Sequence, residues 1–213
     1  MNRRKTIYTT FYLIFLMAFT GCATKAAVKP AADGKTTMSL DIDLGGTLTA
    51  TLDSAMAGLN EIDGTNGKQP LFDTKAIKKS VAQAGFSEVE ISSPERQKLH
   101  LAFTGFFDFI SYTTSKTTVT LSPASIVKFS NSLGEEFKSV MDLFMAPVLS
   151  DEEMSRDEYK ELVAVIYGEK LAADLMASNV ELSITSPKGK TKVHNIPLVD
   201  LLILSEEKVF TSE

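Results

Sequence analysis

Cys22 is the single thiol among 213 residues. With no second cysteine, an intramolecular disulfide is excluded. A lone cysteine marks a special use of that thiol, and its neighbours decide which use. Metal ligation has little support. A structural or catalytic zinc takes three or four His, Cys or carboxylate ligands. His100 and His194 are the only histidines, each in a stretch that alternates as a strand, with no second ligand at close spacing. No metal or cofactor is expected.

Serine chemistry is equally thin. Ser125-Ile-Val-Lys128 and Ser205-Glu-Glu-Lys208 both match the S-x-x-K nucleophile pattern. With 20 serines and 18 lysines in the chain, about two such matches arise by chance, and the companion S-D-N and K-T-G motifs are absent. Ser125 therefore reads as a helix-start residue, and no catalytic residue is expected. The loop from Asp63 to Gly67 suggests calcium, but setting Gly64 or Gly67 at the sixth loop position puts Leu59 or Ile62 at the first, where an oxygen ligand is required. Asp151, Glu152, Glu153, Asp157, Glu158 and Glu161 form an acidic group, which suits the positive end of a helix dipole. No phosphate-binding glycine loop or dinucleotide fingerprint is present.

Composition sets the frame for these residues. The chain is 44% hydrophobic and 23% charged, with a mean hydropathy of +0.03 and a net charge of −5. Those values fit a folded domain with a real core. The acidic balance, without a dense basic patch, argues against nucleic acid, whose binding is dominated by phosphate neutralisation. It also lacks a polybasic stretch that would draw it to anionic lipid.

The elements follow from periodicity and punctuation. Residues 22–37 are small, polar and aperiodic, and are expected to be a flexible tether of at most ~50 Å. Met38, Leu40, Ile42 and Leu44 alternate as a half-buried strand. Gly45 and Gly46 then mark a bulge or turn before the alternation resumes over 47–52. A helix is expected over 73–84, capped by Asp73 and stopped by Gly85, with Ala76, Ile77, Val81 and Ala84 inward. Strands follow over 86–92, 98–104 and 116–121, while 106–112 reads as strand or buried loop.

Pro123 opens a helical stretch carrying Phe129, Phe137, Met141, Phe144 and Met145. Its apolar side serves either as core or as the wall of a lipid-binding pocket. Ser155-Arg-Asp-Glu158 is a capping box, predicting a helix with Tyr159, Leu162, Val163 and Ile166 inward and Gly168 as its stop. A short helix through Leu171, Leu175 and Met176 follows. Then come strands at 180–184 and 191–196 around a turn at 187–190. Residues 197–204 form a buried run, helix or strand by period. The order predicts an α+β fold: a mixed, mostly antiparallel sheet, helices over about 122–177 packed on it, and a C-terminal β-hairpin. Residues 38–213 are expected to form the single globular domain.

The start of the chain has its own pattern. Arg3, Arg4 and Lys5 precede the apolar run Ile7 to Phe19. That run is shorter than the roughly 20 residues needed to span a bilayer, and it matches the apolar core of a signal peptide. Thr20 and Gly21 then precede Cys22. Phe19-Thr20-Gly21-Cys22 resembles the lipobox of bacterial lipoproteins, with Phe19 where leucine is commonest. That resemblance implies a signal peptide over 1–21, cleavage between Gly21 and Cys22, and a diacylglyceryl group on the Cys22 sulfur. Removal of the leader leaves 19 bases against 27 acids, a net of −8.

In such lipoproteins an aspartate after the cysteine retains the protein at the inner membrane. Ala23 at that place favours the outer membrane. The expected protein is thus a lipid-anchored envelope lipoprotein, attached to the membrane through its N-terminal lipid, with a non-catalytic binding or scaffolding role and an envelope protein as partner. An alternative is a carrier of lipid or another apolar ligand using 125–148, and a third is an envelope hydrolase.

Overall fold

The computed structural model describes residues 23–50, 72, 74–83, 85–125 and 153–213. Their centre is a six-stranded sheet of β1 (Ala23–Pro30), β2 (Thr36–Asp43), β3 (Ser87–Ser92), β4 (Lys98–Gly105), β7 (Asn179–Thr185) and β8 (Thr191–Pro197). Across the sheet they run in the order β3-β4-β2-β1-β7-β8. Every neighbouring pair is antiparallel except β1 with β7. A second, three-stranded antiparallel sheet holds β5 (Ile110–Tyr112), β6 (Thr117–Leu121) and β9 (Lys208–Thr211) in the order β5-β6-β9. The helices include α1 (Thr74–Gln83), α2 (Arg156–Tyr167), α3 (Glu169–Ala177) and α4 (Leu198–Leu202). The fold is α+β, as the sequence predicts, with a mixed and mostly antiparallel sheet and the C-terminal hairpin β7–β8.

The largest correction concerns the expected tether. Ala23–Pro30 is not a spacer but an interior strand, hydrogen-bonded to β2 on one side and β7 on the other. Only a 3-10 turn, Ala32–Gly34, separates it from β2. The physical reason lies in its alternation. Thr24 and Val28 are buried and Ala26 is packed against the core, whereas Lys25 and Lys29 are exposed. Small side chains suit an interior strand flanked by larger neighbours, and fixed ladders on both edges supply what its own hydrophobicity does not.

The second correction is at 45–50, which is helical rather than a resumed strand. The Asp43 carboxylate accepts from the Gly45 amide at 3.3 Å. The Thr49 hydroxyl donates to the Gly45 carbonyl at 2.7 Å, one helical turn back. Leu44 and Leu48 are both buried, and their i,i+4 spacing puts them on one helical side.

One core unites the sheet with the helices. Ile42, Leu99, Leu101, Val180, Leu182 and Ile184 from the sheet join Ile77 and Val81 of α1, Tyr159 and Val163 of α2, and Leu171 and Leu175 of α3. The predicted capping box is present. The Ser155 hydroxyl accepts from the Glu158 amide at 3.3 Å, and the Glu158 carboxylate accepts from the Ser155 amide at 2.8 Å. Gly168, at φ +93°, ends α2 and opens α3 in a conformation that L side chains rarely adopt. Ile166 is 49% exposed, contrary to expectation. The buried stripe is centred on Tyr159 and Val163 and continues toward half-buried Tyr167, which leaves Ile166 at its margin.

Residues 108–109 form a turn leading into β5, and the run after Pro197 forms α4, with Leu198, Val199, Leu201 and Leu202 all buried. Strand β9 falls where the sequence pattern predicts no element. It pairs with β6 from Thr118↔Thr211 to Leu121↔Lys208. Ser122 and Ser125 cap each other at the helical residues 123–125, as a helix start requires. The rest of the stretch expected to be helical, including Phe129 to Met145, lies outside the described residues. So do Asp73, expected as a cap, residues 60–67, expected as a loop, Asp151 and Glu152, and residues 1–22, on which the expected leader and Cys22 fall.

Candidate functional site

One face of the six-stranded sheet packs on the core, and the other presents polar side chains. Alternation within each strand decides which residues appear there. Register then aligns them in rows across the sheet. One row runs Ser92, His100, Asp41, Lys25, Glu181 and Asn195. The Asp41 carboxylate accepts from His100 Nδ1 at 2.6 Å, and Lys25 Nζ lies 3.8 Å from Glu181. These side chains keep between 39% and 65% of their exposure, so solvent screens the charges and each pair contributes little stability.

The next row, Glu90, Ala102, Ser39, Ala27, Ser183 and Val193, is built largely of small residues. Beyond it Thr37 and Thr104 join through their hydroxyls at 2.9 Å. Thr104 also donates to Glu88 at 2.8 Å. The result is a polar face whose middle is low and whose charged row carries alternating signs.

Ser92, His100 and Asp41 stand in the order of a nucleophile, a base and an orienting acid. The acid–base contact is made, but no hydrogen bond joins Ser92 to His100 among the described residues. The strand amides beside them lie in the sheet plane, so they do not converge on an atom held above the face, as an oxyanion hole requires. What the row offers is charge and hydrogen-bonding complementarity to a surface laid across it.

His194 plays a different part. Its Nε2 donates to the Thr211 carbonyl at 2.8 Å, and its ring meets Phe210 edge-on at 5.5 Å. It thereby joins β8 to β9. The Thr117 hydroxyl donates to the Thr185 carbonyl at 2.7 Å, and Tyr112 bonds Thr36. Burial pushes the Tyr112 phenol up from its ordinary value. Thr185 and Thr36 put two of these contacts at the end of the large sheet opposite Ala23, and His194 adds a third midway along β8.

The Ala23 end is formed by Ala23 with its register partners Asp43 and Asn179, by Lys98 opposite Asp43, and by Pro197 opposite Asn179. Lys98 Nζ sits 2.6 Å from Glu95 and 3.8 Å from Asp43. The hydrogen bond to Glu95 is the main cause holding the ammonium pKa above its ordinary value.

A shallow depression of about 490 Å³ lies between α2, α3 and α4. Arg156 and Lys160 line it with Met176 and Val199. Arg156 is engaged with Asp200 at 2.6 Å, and Lys208 approaches the same carboxylate at 3.5 Å.

Among the described residues no group of three or more His, Cys, Asp or Glu could hold a metal ion. No described helix is long and apolar enough to cross a membrane. The acidic residues expected to cluster divide their roles. Glu158 closes the α2 cap, while Glu153, Asp157 and Glu161 are exposed. Sequence reasoning missed the Asp41–His100 and Lys25–Glu181 pairs. Alternation places Asp41 and His100 on outward positions, but their partnership depends on a register between strands 59 residues apart. Comparison with protein-family models, curated proteins and solved structures finds no match for this chain.

Proposed function

We propose that the chain is a lipid-anchored lipoprotein of the bacterial cell envelope, which works by binding or scaffolding rather than by catalysis. The observation that carries this reading is the leader: Arg3, Arg4 and Lys5, the apolar run to Phe19, and Thr20-Gly21 directly before the only cysteine. Cleavage there would remove none of the described elements, since the first of them begins at Ala23. One acyl chain holds a protein marginally, whereas two or three hold it stably, each buried methylene adding about 0.8 kcal/mol. Ala23 after the cysteine favours the outer membrane. The polar sheet face, with its alternating charges and low central row, fits an envelope protein as partner.

The deciding experiment follows Cys22→Ser in the bacterial host. The substitution should abolish incorporation of labelled fatty acid and release the protein from the membrane fraction. A variant that still labels and still pellets would sink the reading.

A further inference from the structure

Cys22 is joined by one peptide bond to the first residue of an interior strand, and that connection constrains any anchor placed on it. Consecutive α-carbons are about 3.8 Å apart, and Ala23 is already paired with Asp43 and Asn179. Resting on the lipid-anchor reading above, we propose that the Ala23 end of the large sheet lies against the bilayer surface. The domain then stands on the membrane with β1 leading away from it, instead of floating on a tether.

The directions of the strands define which surface this is. β1, β4 and β7 start at the Ala23 end, while β2, β3 and β8 finish there. Among the described residues the bilayer-facing surface therefore includes Asp43, the turn through Glu95 and Arg96, Lys98, Asn179 and Pro197. Two acids balance two bases among them, and Lys98 is already paired with Glu95 and Asp43. Such an end neither repels anionic headgroups nor inserts among acyl chains, so it can rest at the interface while the lipid supplies the affinity. The opposite end, with the Ala32–Gly34 turn, the 187–190 turn and the small sheet, projects outward. Seven strand steps from Ala23 to Pro30 put it about 23 Å farther away.

Freeing a tether would require β1 to leave both of its ladders. β1 lies between β2 and β7, so its departure would split the sheet into two halves and expose Val28, Ile42 and Ile184. The geometry also makes the polar face stand upright, with its rows stacked at increasing height above the membrane. A partner laid across that face would itself reach down to the membrane.

The test uses two labels on one hairpin of the full-length protein. Acylated Cys22 carries no free thiol, so Asn179→Cys and Lys188→Cys each provide a single site for a nitroxide. Both are exposed. In vesicles containing a nickel-chelating lipid, the label at 179 should relax several-fold faster than the label at 188. Inserting about twelve Gly and Ser residues between Cys22 and Ala23 adds a coil of roughly 20 Å and should erase most of that difference. Equal relaxation at the two sites without the insertion, or faster relaxation at 188, overturns the orientation while leaving the anchor intact. Absence of an acyl group on Cys22, read by mass spectrometry of the same samples, overturns the anchor and the orientation together.

Discussion

Ser155 and Glu158 show how much one short sequence pattern can specify. The serine hydroxyl takes the Glu158 amide, and the glutamate returns to both the Ser155 amide and its hydroxyl. Those bonds favour the ionised carboxylate. The Ser155 hydroxyl and then its amide hold Glu158 below its ordinary value of 4.5. A carboxyl whose folded pKa is depressed contributes stability above its unfolded value and loses it as pH falls through the folded one. Replacing Ser155 with Ala should cost about 1 kcal/mol at neutral pH, a fall of about 3 °C in Tm for a domain of this size. The gap between the two proteins should narrow below pH 4.5 as Glu158 protonates in the wild type. Thermal melts of both proteins across pH 3 to 7 measure it, and a gap independent of pH would remove Glu158 from the cap.

Among the elements, β1 carries the sharpest test. Val28 is 1% exposed and Lys29, its neighbour, is exposed. Val28→Ala should therefore cost about 2 kcal/mol, while Lys29→Ala should stay within about 0.5 kcal/mol. Urea titrations compare them directly, and equal effects would mean the segment is the tether its composition suggests. Strands such as β4 and β7 were legible because Leu, Phe, Val and Ile alternate with polar residues at full contrast. β1 was not, because alanine is depleted in strands and its inward positions hold Thr24, Ala26 and Val28. The alternation exists but has little amplitude, and only the flanking ladders make it a strand. The 45–50 segment failed in the opposite way. Its threonines suggest strand locally, but Leu44 and Leu48 are buried at helical spacing, and tertiary packing wins. β9 is four residues long and depends on β6, far away in sequence. The polar face has the same limit: its residues can be assigned outward strand by strand, but the rows exist only once register is known.

At the scale of the whole molecule, the interior position of β1 moves the boundary of the folding unit. A chain cut to begin at Met38 keeps the strongly hydrophobic strands of the large sheet, with β2 shortened by Thr36 and Thr37, but removes the one that joins its two halves. The β3-β4-β2 half would then meet the β7–β8 hairpin across a gap where β1's two backbone ladders had been. Unpaired strand edges with buried neighbours are costly and promote association. A protein beginning at Ala23 should thus unfold cooperatively as a monomer, whereas one beginning at Met38 should aggregate or lack a cooperative transition. Circular dichroism melts with size-exclusion chromatography distinguish them. A monomeric, cooperatively melting 38–213 protein would show that the sheet closes without β1, and that Ala23–Pro30 is free to act as the tether after all. Supplying β1 as a separate peptide refines the result. If the loss comes from the missing ladders alone, the peptide should restore the transition in proportion to its concentration, because binding to the folded state stabilises it by mass action.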